Sequence, residues 1–451
     1  MTRKTKATIL AASAVTVLTL AAAPPMQKAS GEHWVATWAT AEQLAVTGAA
    51  NGRGAVAASG PVVGIVPAAP APPPPPPGTP QRRFPIPPTL AGLNNQTVRM
   101  IVRTSLGGSR IRVRLSNAVG GGSVTLGSAH IALGAKSSDG SAILPASDRP
   151  LTFSGKTTAT LYAGEVLVSD PVTLTVPPLT DLAVSLYFPK QTSAQTNHRF
   201  SLHNTYISKD GDSTASPAIG DPASVVQSYY YLAGIDVMAS ADAGTIVTFG
   251  DSITDGDQSS LGTNSEWPAV LAARLQANKA TAHMAVVNAG ISGNRILGDN
   301  GGGLVRLFHD ALDQPGVRWI TLLEGINDIS GGARQTGPNA FSADDLIAAY
   351  RQVIAMAHGA GVKVAGCTLT PFGGSSAYSD RGEEIRSAAN NFIRSSGEFD
   401  AVIDFEAAVR DAADPKRYRK EADSPDLLHP GDAGYKLMGQ AVDLSIFAPR
   451  H

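Results

Sequence analysis

The sequence predicts two kinds of β structure in one chain: an antiparallel portion, then a parallel, doubly wound α/β portion. Three observations carry this. From Thr97 to about Tyr231, short runs alternate apolar and polar residues with period two, punctuated by Gly, Pro and Asp. After about Ala241 the rhythm changes to apolar strand-like runs separated by amphipathic helical stretches, the pattern of a parallel sheet. At the head of that second portion, Thr245-Ile246-Val247-Thr248-Phe249 runs straight into Gly250-Asp251-Ser252. A buried strand thereby delivers a serine hydroxyl to its C-terminal edge, where open α/β sheets place their chemistry.

Composition sets the bounds. With 451 residues there is room for two or three domains with real cores. A net charge of -1 gives no broad cationic surface, which argues against nucleic acid and against stable attachment to an acidic membrane. Aromatic residues at 6%, charged residues at 16%, 46 Gly and 31 Pro favour β structure and long loops over coiled coils. The lone Cys367 excludes an intramolecular disulfide and, within an apolar run, reads as a buried core thiol. There is no His-Glu-x-x-His and no Cys-x-x-Cys.

In chain order, Arg3, Lys4 and Lys6 precede an apolar stretch over residues 7–23 that is short for a membrane span and ends at Pro24-Pro25. Residues 1–30 therefore read as a secretory signal peptide, cleaved between about Ala21 and Ser30. A first mature strand is expected over 33–40, with Trp34 and Trp38 on one face and turned to the core. An Ala/Gly/Pro-rich insertion follows over about 45–96; its unbroken prolines at 72–77 favour extended polyproline that cannot build a core. Residues 98–103 and 111–115 alternate apolar residues with arginine, with a turn at Gly107-Gly108. Further strands are expected at 123–133, 157–162, 166–168, 172–176 and 182–188. Together, residues 31–240 read as an antiparallel, jelly-roll-like β-sandwich. Its arginines are expected on a solvated sheet face; an acidic-glycan surface is the sharper alternative.

The second domain, 241–451, has strands expected at 245–249, 284–288, 318–323, 362–369 and 401–405. Helices are expected near 266–276, 304–312, 343–358, 383–394 and 432–444, with Trp267-Pro268 suited to a first helical turn.

A serine nucleophile needs a base, a group to orient that base, and donors for the oxyanion. His429 is the candidate base. Asp426, three residues earlier in a Pro-flanked loop, can reach back to the imidazole and fix its tautomer. The oxyanion donors are the backbone N–H of Ser252, a glycine N–H from the stretch Asn288-Ala289-Gly290-Ile291-Ser292-Gly293-Asn294, and the side-chain amide of Asn327. Asp251, Asp255, Glu324 and Asp328 crowd the same strand ends. Turn capping and strand-end hydrogen bonding are the preferred reading over a metal cage.

Gly250-Asp251-Ser252-Ile253-Thr254-Asp255-Gly256, the 288–293 stretch, Gly325-Ile326-Asn327-Asp328 and Asp426-Leu427-Leu428-His429 together resemble the blocks of the SGNH (GDSL) hydrolase superfamily. The resemblance covers somewhat under half of the chain. It implies a flavodoxin-like, three-layer α/β/α catalytic domain, and it aligns the oxyanion glycine to Gly293, with Gly290 as the second choice. Thr254 stands where the α/β-hydrolase elbow would have its second glycine. The opening Trp34-Val35-Ala36-Thr37-Trp38 resembles, more softly, the β-sandwich preceding the hydrolase in a secreted bacterial subgroup.

The resemblance implies a secreted serine esterase with the triad Ser252, Asp426 and His429 and the oxyanion hole Ser252, Gly293 and Asn327. That chemistry needs no cofactor or metal. Short-chain esters such as acetylated carbohydrate are the expected substrates, with a lipase, lysophospholipase, thioesterase or arylesterase as alternatives. A secreted binding or adhesion protein with a silent hydrolase domain is the alternative of another class. Substrate identity and oligomeric state are not encoded in any motif.

Overall fold

Alternation in the first portion folds into antiparallel strands, as its period predicts. The computed structural model describes residues 32–44, 92–136, 140–298, 301–337 and 340–448. The expected signal peptide and nearly all of the Pro-rich insertion lie outside the described residues. The strands that matter here are β1 (Trp34–Ala39), β2 (Gln96–Arg103), β3 (Gly108–Ser116), β4 (Ser128–Leu133), β5 (Val166–Val168), β6 (Val172–Val176), β7 (Asp181–Phe188), β8 (Thr205–Ile207) and β9 (Leu232–Met238). One sheet runs β1-β9-β3-β5, with β6 also on β3; another contains β8-β2-β7-β4. Buried residues of both sheets, among them Val98, Met100, Val113, Val184 and Ile235, share one core.

Three expectations change in this portion. Gly107-Gly108 does not close a hairpin, because β2 and β3 belong to different sheets. The chain crosses there so tightly that a Cβ on Gly107 would stand 2.5 Å from the Val176 carbonyl oxygen. The arginines do not all face solvent. Arg99 is 0% exposed and donates to Ser185 Oγ and to the carbonyls of Ser141, Thr214 and Ser216. Arg112 and Arg114 both pair with Asp236, fully buried on β9, at 2.9 and 3.0 Å. A guanidinium carries five donors, so burial is tolerable where enough acceptors converge on it. The tryptophans are half-buried, because a register shift between Ala36 and Trp38 interrupts the alternation. Trp34 lies under the Arg112 guanidinium, and Trp38 meets Tyr229 edge-on.

The second portion forms β10 (Gly244–Gly250), β11 (Met284–Gly290), β12 (Val317–Leu323), β13 (Lys363–Cys367) and β14 (Ala401–Ile403). They make a parallel sheet in the order β11-β10-β12-β13-β14. The helices are α1 (Ser252–Asp255), α2 (Trp267–Ala277), α3 (Gly303–Leu307), α4 (Ile326–Gly332), α5 (Ala343–Gly359), α6 (Asp380–Ser395), α7 (Phe405–Val409) and α8 (Asp432–Ala441). Pro268 sits in the first turn of α2, where its missing N–H costs nothing. The strand expected over 401–405 stops early, because the Asp404 side chain accepts the Ala407 N–H and starts α7. Three short helices are unexpected: α1, α7, and α4, which begins after Gly325 at φ 131°.

The chain enters the sheet at β10, goes to β11 on one side, then returns to β12 on the other. That reversal opens a crevice at the carboxyl end of β10, the place where ligands bind in such sheets.

From His33 onward the chain is one compact unit, and β1 shows how it is stitched. Val35 is buried in the core of the antiparallel sheets, while its neighbour Ala36 is buried in the core of the parallel one. The Ala36 N–H donates to Pro315 O at 2.9 Å, and Thr245 Oγ1 donates to Ala36 O at 3.1 Å. Among the described residues, no helix is long and apolar enough to cross a membrane.

Candidate active site

Every residue of β10 is buried, so its end is rigidly placed. Gly250 makes the corner: a Cβ there would come within 2.4 Å of Leu323 O and 2.2 Å of Thr254 Oγ1. Asp251 then caps α1, its Oδ1 accepting the Ile253 N–H at 2.9 Å. This turn leaves Ser252 4% exposed with its Oγ 2.7 Å from His429 Nε2. The opposite ring nitrogen, Nδ1, lies 2.7 Å from Asp426 Oδ2. Read from this network, Nδ1 carries the hydrogen and donates to the carboxylate, so Nε2 is free to accept the serine proton.

Asp426 is held as firmly as it holds. Its Oδ1 accepts Ser424 Oγ–H at 2.9 Å and the N–H groups of Leu428 and His429 at 3.0 Å each. The three-residue offset works because the loop turns sharply, with Leu427 at φ 60°. Burial pushes the Asp426 carboxyl up, but the His429 ring and the backbone donors outweigh it and hold it below the usual carboxylate range. It is therefore a permanent anion beside the base.

Two of the three oxyanion candidates, Gly293 and Asn327, meet at one turn, residues 291–294. It is closed by Asn294 N–H donating to Ile291 O at 3.0 Å, with Gly293 at its third position and φ 82°. A type II turn needs a positive φ at that position, which is why glycine stands there. Asn327 Nδ2 donates to Asn294 O at 2.8 Å, which ties the amide to the same turn. Gly290 serves differently. Its N–H already donates to Asn288 Oδ1 at 2.9 Å, and a Cβ on it would lie 2.3 Å from Asp255 N. Gly290 is thus a packing glycine, and Gly293 is the better donor.

Of the carboxylates crowding these strand ends, three behave as expected of capping groups. Asp251 caps α1, Asp328 accepts the Ile296 and Leu297 N–H groups, and Asp255 accepts the Ser292 N–H. Burial pushes Asp251 up to about 7 against the opposing pull of Ile253 N–H and His429, and pushes Asp328 up to about 6. Glu324 departs from the expectation. It is 1% exposed, neither carboxyl oxygen has a hydrogen-bond partner, and Arg306 Nη2 is 4.0 Å away. Burial and the nearby Asp251 carboxyl push it well above the ordinary range.

Two contributors give no signal in the sequence. Arg306 of α3 donates to Gly250 O at 2.9 Å, to Ala289 O at 2.7 Å and to Asn294 Oδ1 at 2.8 Å, with its guanidinium 3.9 Å above the Phe249 ring. One side chain thereby locks the ends of β10 and β11 and the oxyanion turn together. Asp257 places Oδ2 3.9 Å from His429 Nε2. Gly374 borders the His429 loop: a Cβ on it would lie 3.1 Å from Leu427 Cδ1. Cys367 is buried as expected. A separate cavity of about 100 Å³ lies behind Asp255, lined by Arg103, His198, His203, Tyr229 and Glu266; neither Ser252 nor His429 borders it.

Residues 248–437 match the GDSL-like lipase/acylhydrolase family. That span contains Ser252, Gly293, Asn327, Asp426 and His429. Similar solved structures include an aryl esterase from M. smegmatis (17% identity, covering 44% of this chain and 96% of that one, TM-score 0.34). The acetyl xylan esterase AlAXEase is another (21% identity, covering 44% and 96%, TM-score 0.34). A GDSL-like lipase from Bacteroides thetaiotaomicron is a third (18% identity, covering 45% and 87%, TM-score 0.32). No curated protein matches the chain.

Proposed function

With residues 248–437 identified as a GDSL-like lipase/acylhydrolase domain, and the protein so marked as a carboxylic ester hydrolase, we propose that it works through a Ser252–His429–Asp426 triad on short-chain acyl esters. The observation that carries the proposal is the unbroken relay from Ser252 Oγ to His429 Nε2 and from His429 Nδ1 to Asp426 Oδ2, each link 2.7 Å.

The relay performs the chemistry as follows. His429 takes the Ser252 proton while Oγ attacks the ester carbonyl carbon. The ring becomes an imidazolium against the fixed Asp426 anion. The carbonyl oxygen, now an oxyanion, is held by the N–H groups of Ser252 and Gly293 and the Asn327 amide. His429 returns its proton to the departing alcohol, leaving an acyl-enzyme, and then deprotonates a water that releases the acid and restores Ser252. Every proton taken is returned, so no external acid, base or redox partner is consumed.

The acyl group is read as short, acetate first, and acetylated carbohydrate as the alcohol. A lipase would be expected to carry a large apolar lid, and no obvious stretch of that kind stands out in the sequence. The antiparallel sheets ahead of the hydrolase are read as a jelly-roll-like β-sandwich spanning 31–240, because both draw on one core. The protein is further proposed to be exported, on the basic head and apolar body of residues 1–30. An unprocessed N-terminus on protein retained in the cytoplasm would contradict export.

The test of function is a p-nitrophenyl ester series of increasing acyl length, run on the native protein and on Ser252→Ala, beside acetylated xylan. Native activity should peak at acetate. Ser252→Ala should lose on the order of 10⁴-fold or more in kcat while remaining folded. Undiminished turnover by a folded Ser252→Ala would overturn the nucleophile; a maximum at long acyl chains would overturn the substrate class.

A further inference from the structure

His198 lies in the antiparallel portion, between β7 and β8, far in sequence from any block of the hydrolase. Yet its ring reaches the active edge. Nδ1 is 2.7 Å from Ala41 O, and Nε2 is 3.0 Å from both Phe200 O and Asp255 Oδ1. Carbonyl oxygens only accept, so both ring nitrogens must carry hydrogen and the ring is an imidazolium. The side chain is only 4% exposed, as is that of Asp255. A buried cation survives only where its charge and both donors are satisfied, and this one is.

The second oxygen of Asp255 points the other way. Oδ2 accepts the Ser292 N–H at 2.8 Å. Ser292 is the second residue of the 291–294 turn, directly before Gly293. The opposite side of that turn is held by Asn327 Nδ2 on Asn294 O. The peptide presenting the Gly293 N–H is therefore gripped from both ends, once by the hydrolase's own asparagine and once by an ion pair whose cation comes from the preceding sheets.

We infer that the buried His198–Asp255 ion pair is a positioning device for the oxyanion turn: His198 fixes Asp255, Asp255 fixes the Ser292 N–H, and the Gly293 N–H is thereby aimed. The inference rests on Gly293 being an oxyanion donor. Burial works against both charges, raising Asp255, and it lowers His198 as well. Asp255 and the two carbonyls nevertheless hold the imidazole above its ordinary range. The pair does not touch substrate. It acts only through the turn, and misplacement of an oxyanion donor by about 1 Å can cost on the order of 100-fold in rate. The consequence for the molecule is that the antiparallel portion is a working part of the hydrolase site.

The link can be cut at its far end without substituting either member of the buried pair. Proline is favoured at the second position of a type II turn, so Ser292→Pro deletes the N–H that Asp255 accepts and leaves the turn intact. Ser292→Ala keeps the N–H and removes only the hydroxyl. With p-nitrophenyl acetate, Ser292→Pro should lower kcat about tenfold or more below that of Ser292→Ala, which also lacks the hydroxyl 3.4 Å from Asp257 Oδ2, at little-changed KM and with a melting temperature close to that of Ser292→Ala. His198→Gln, which keeps a donor toward Asp255 but not the charge, should lower kcat in the same way. The double variant His198→Gln/Ser292→Pro should then be no slower than Ser292→Pro alone.

A Ser292→Pro variant within twofold of Ser292→Ala in kcat overturns the inference. So do His198→Gln and Ser292→Pro effects that multiply in the double variant, since a merely structural histidine would act independently of the turn. If His198→Gln does not fold, the Ser292→Pro comparison decides alone. These outcomes are separable from failure of the nucleophile: an inactive Ser252→Ala beside a Ser292→Pro no slower than Ser292→Ala removes the His198–Asp255 positioning link and keeps the triad.

Discussion

Glu324 sits 1% exposed beside the catalytic strand end with both carboxyl oxygens unpartnered, and its burial has a consequence that depends on pH. An unfolded glutamate titrates near pH 4.3, whereas burial and Asp251 push the folded group well above that. The folded state therefore binds the proton more tightly. Its contribution is fully present below the unfolded value and is lost as pH rises through the folded one. Glu324→Gln keeps the shape of the protonated acid and removes the titration. Its melting temperature should match the native protein near pH 4 to 5 and exceed it by a few degrees, about 2 to 4 °C, near pH 8. Thermal melts across that range check this; a difference that does not change with pH would mean the carboxyl is not held protonated. Asp426 shows the opposite logic at the same site. Donors outnumber the burial cost, so its charge persists through the working range and steadies the imidazolium.

At the scale of elements, the 291–294 turn is where backbone becomes chemistry. Asn327 enters it from α4 and Arg306 from α3. Asn327→Ala should remove both a donor and a tether, lowering kcat on p-nitrophenyl acetate by about 100- to 1,000-fold with a small change in KM. Steady-state kinetics read this directly; a rise in KM at constant kcat would make Asn327 a binding residue only. Much of this layer was legible in the sequence. The apolar runs of β10, β11 and β12 announce themselves by composition, and Ser252, Gly293, Asn327, Asp426 and His429 lie at the ends or loops where such a sheet puts function. What was not legible is long-range and polar. Arg306 and His198 find their acceptors 56 and 57 residues away, at Gly250 and Asp255, and no local period encodes such pairs. For the same reason the arginines of β2 and β3 read as a wet face: alternation says which residues share a face, but Asp236 and the loop carbonyls that bury those guanidinium groups come from elsewhere.

From His33 onward the molecule is one unit in which β1, a strand of the antiparallel sheets, sends buried residues into both cores. β1 alternates its residues between their cores, and His198 extends the same connection to the catalytic edge. On this account the chain is organised to present a single activated serine, although it carries many other hydroxyl groups. The most direct measurement is reaction of the intact protein with a fluorophosphonate probe, followed by mass analysis and peptide mapping. The account predicts one label per chain, on Ser252, with p-nitrophenyl acetate hydrolysis lost in proportion to labelling. An unlabelled Ser252, or full hydrolysis by quantitatively labelled protein, would contradict it.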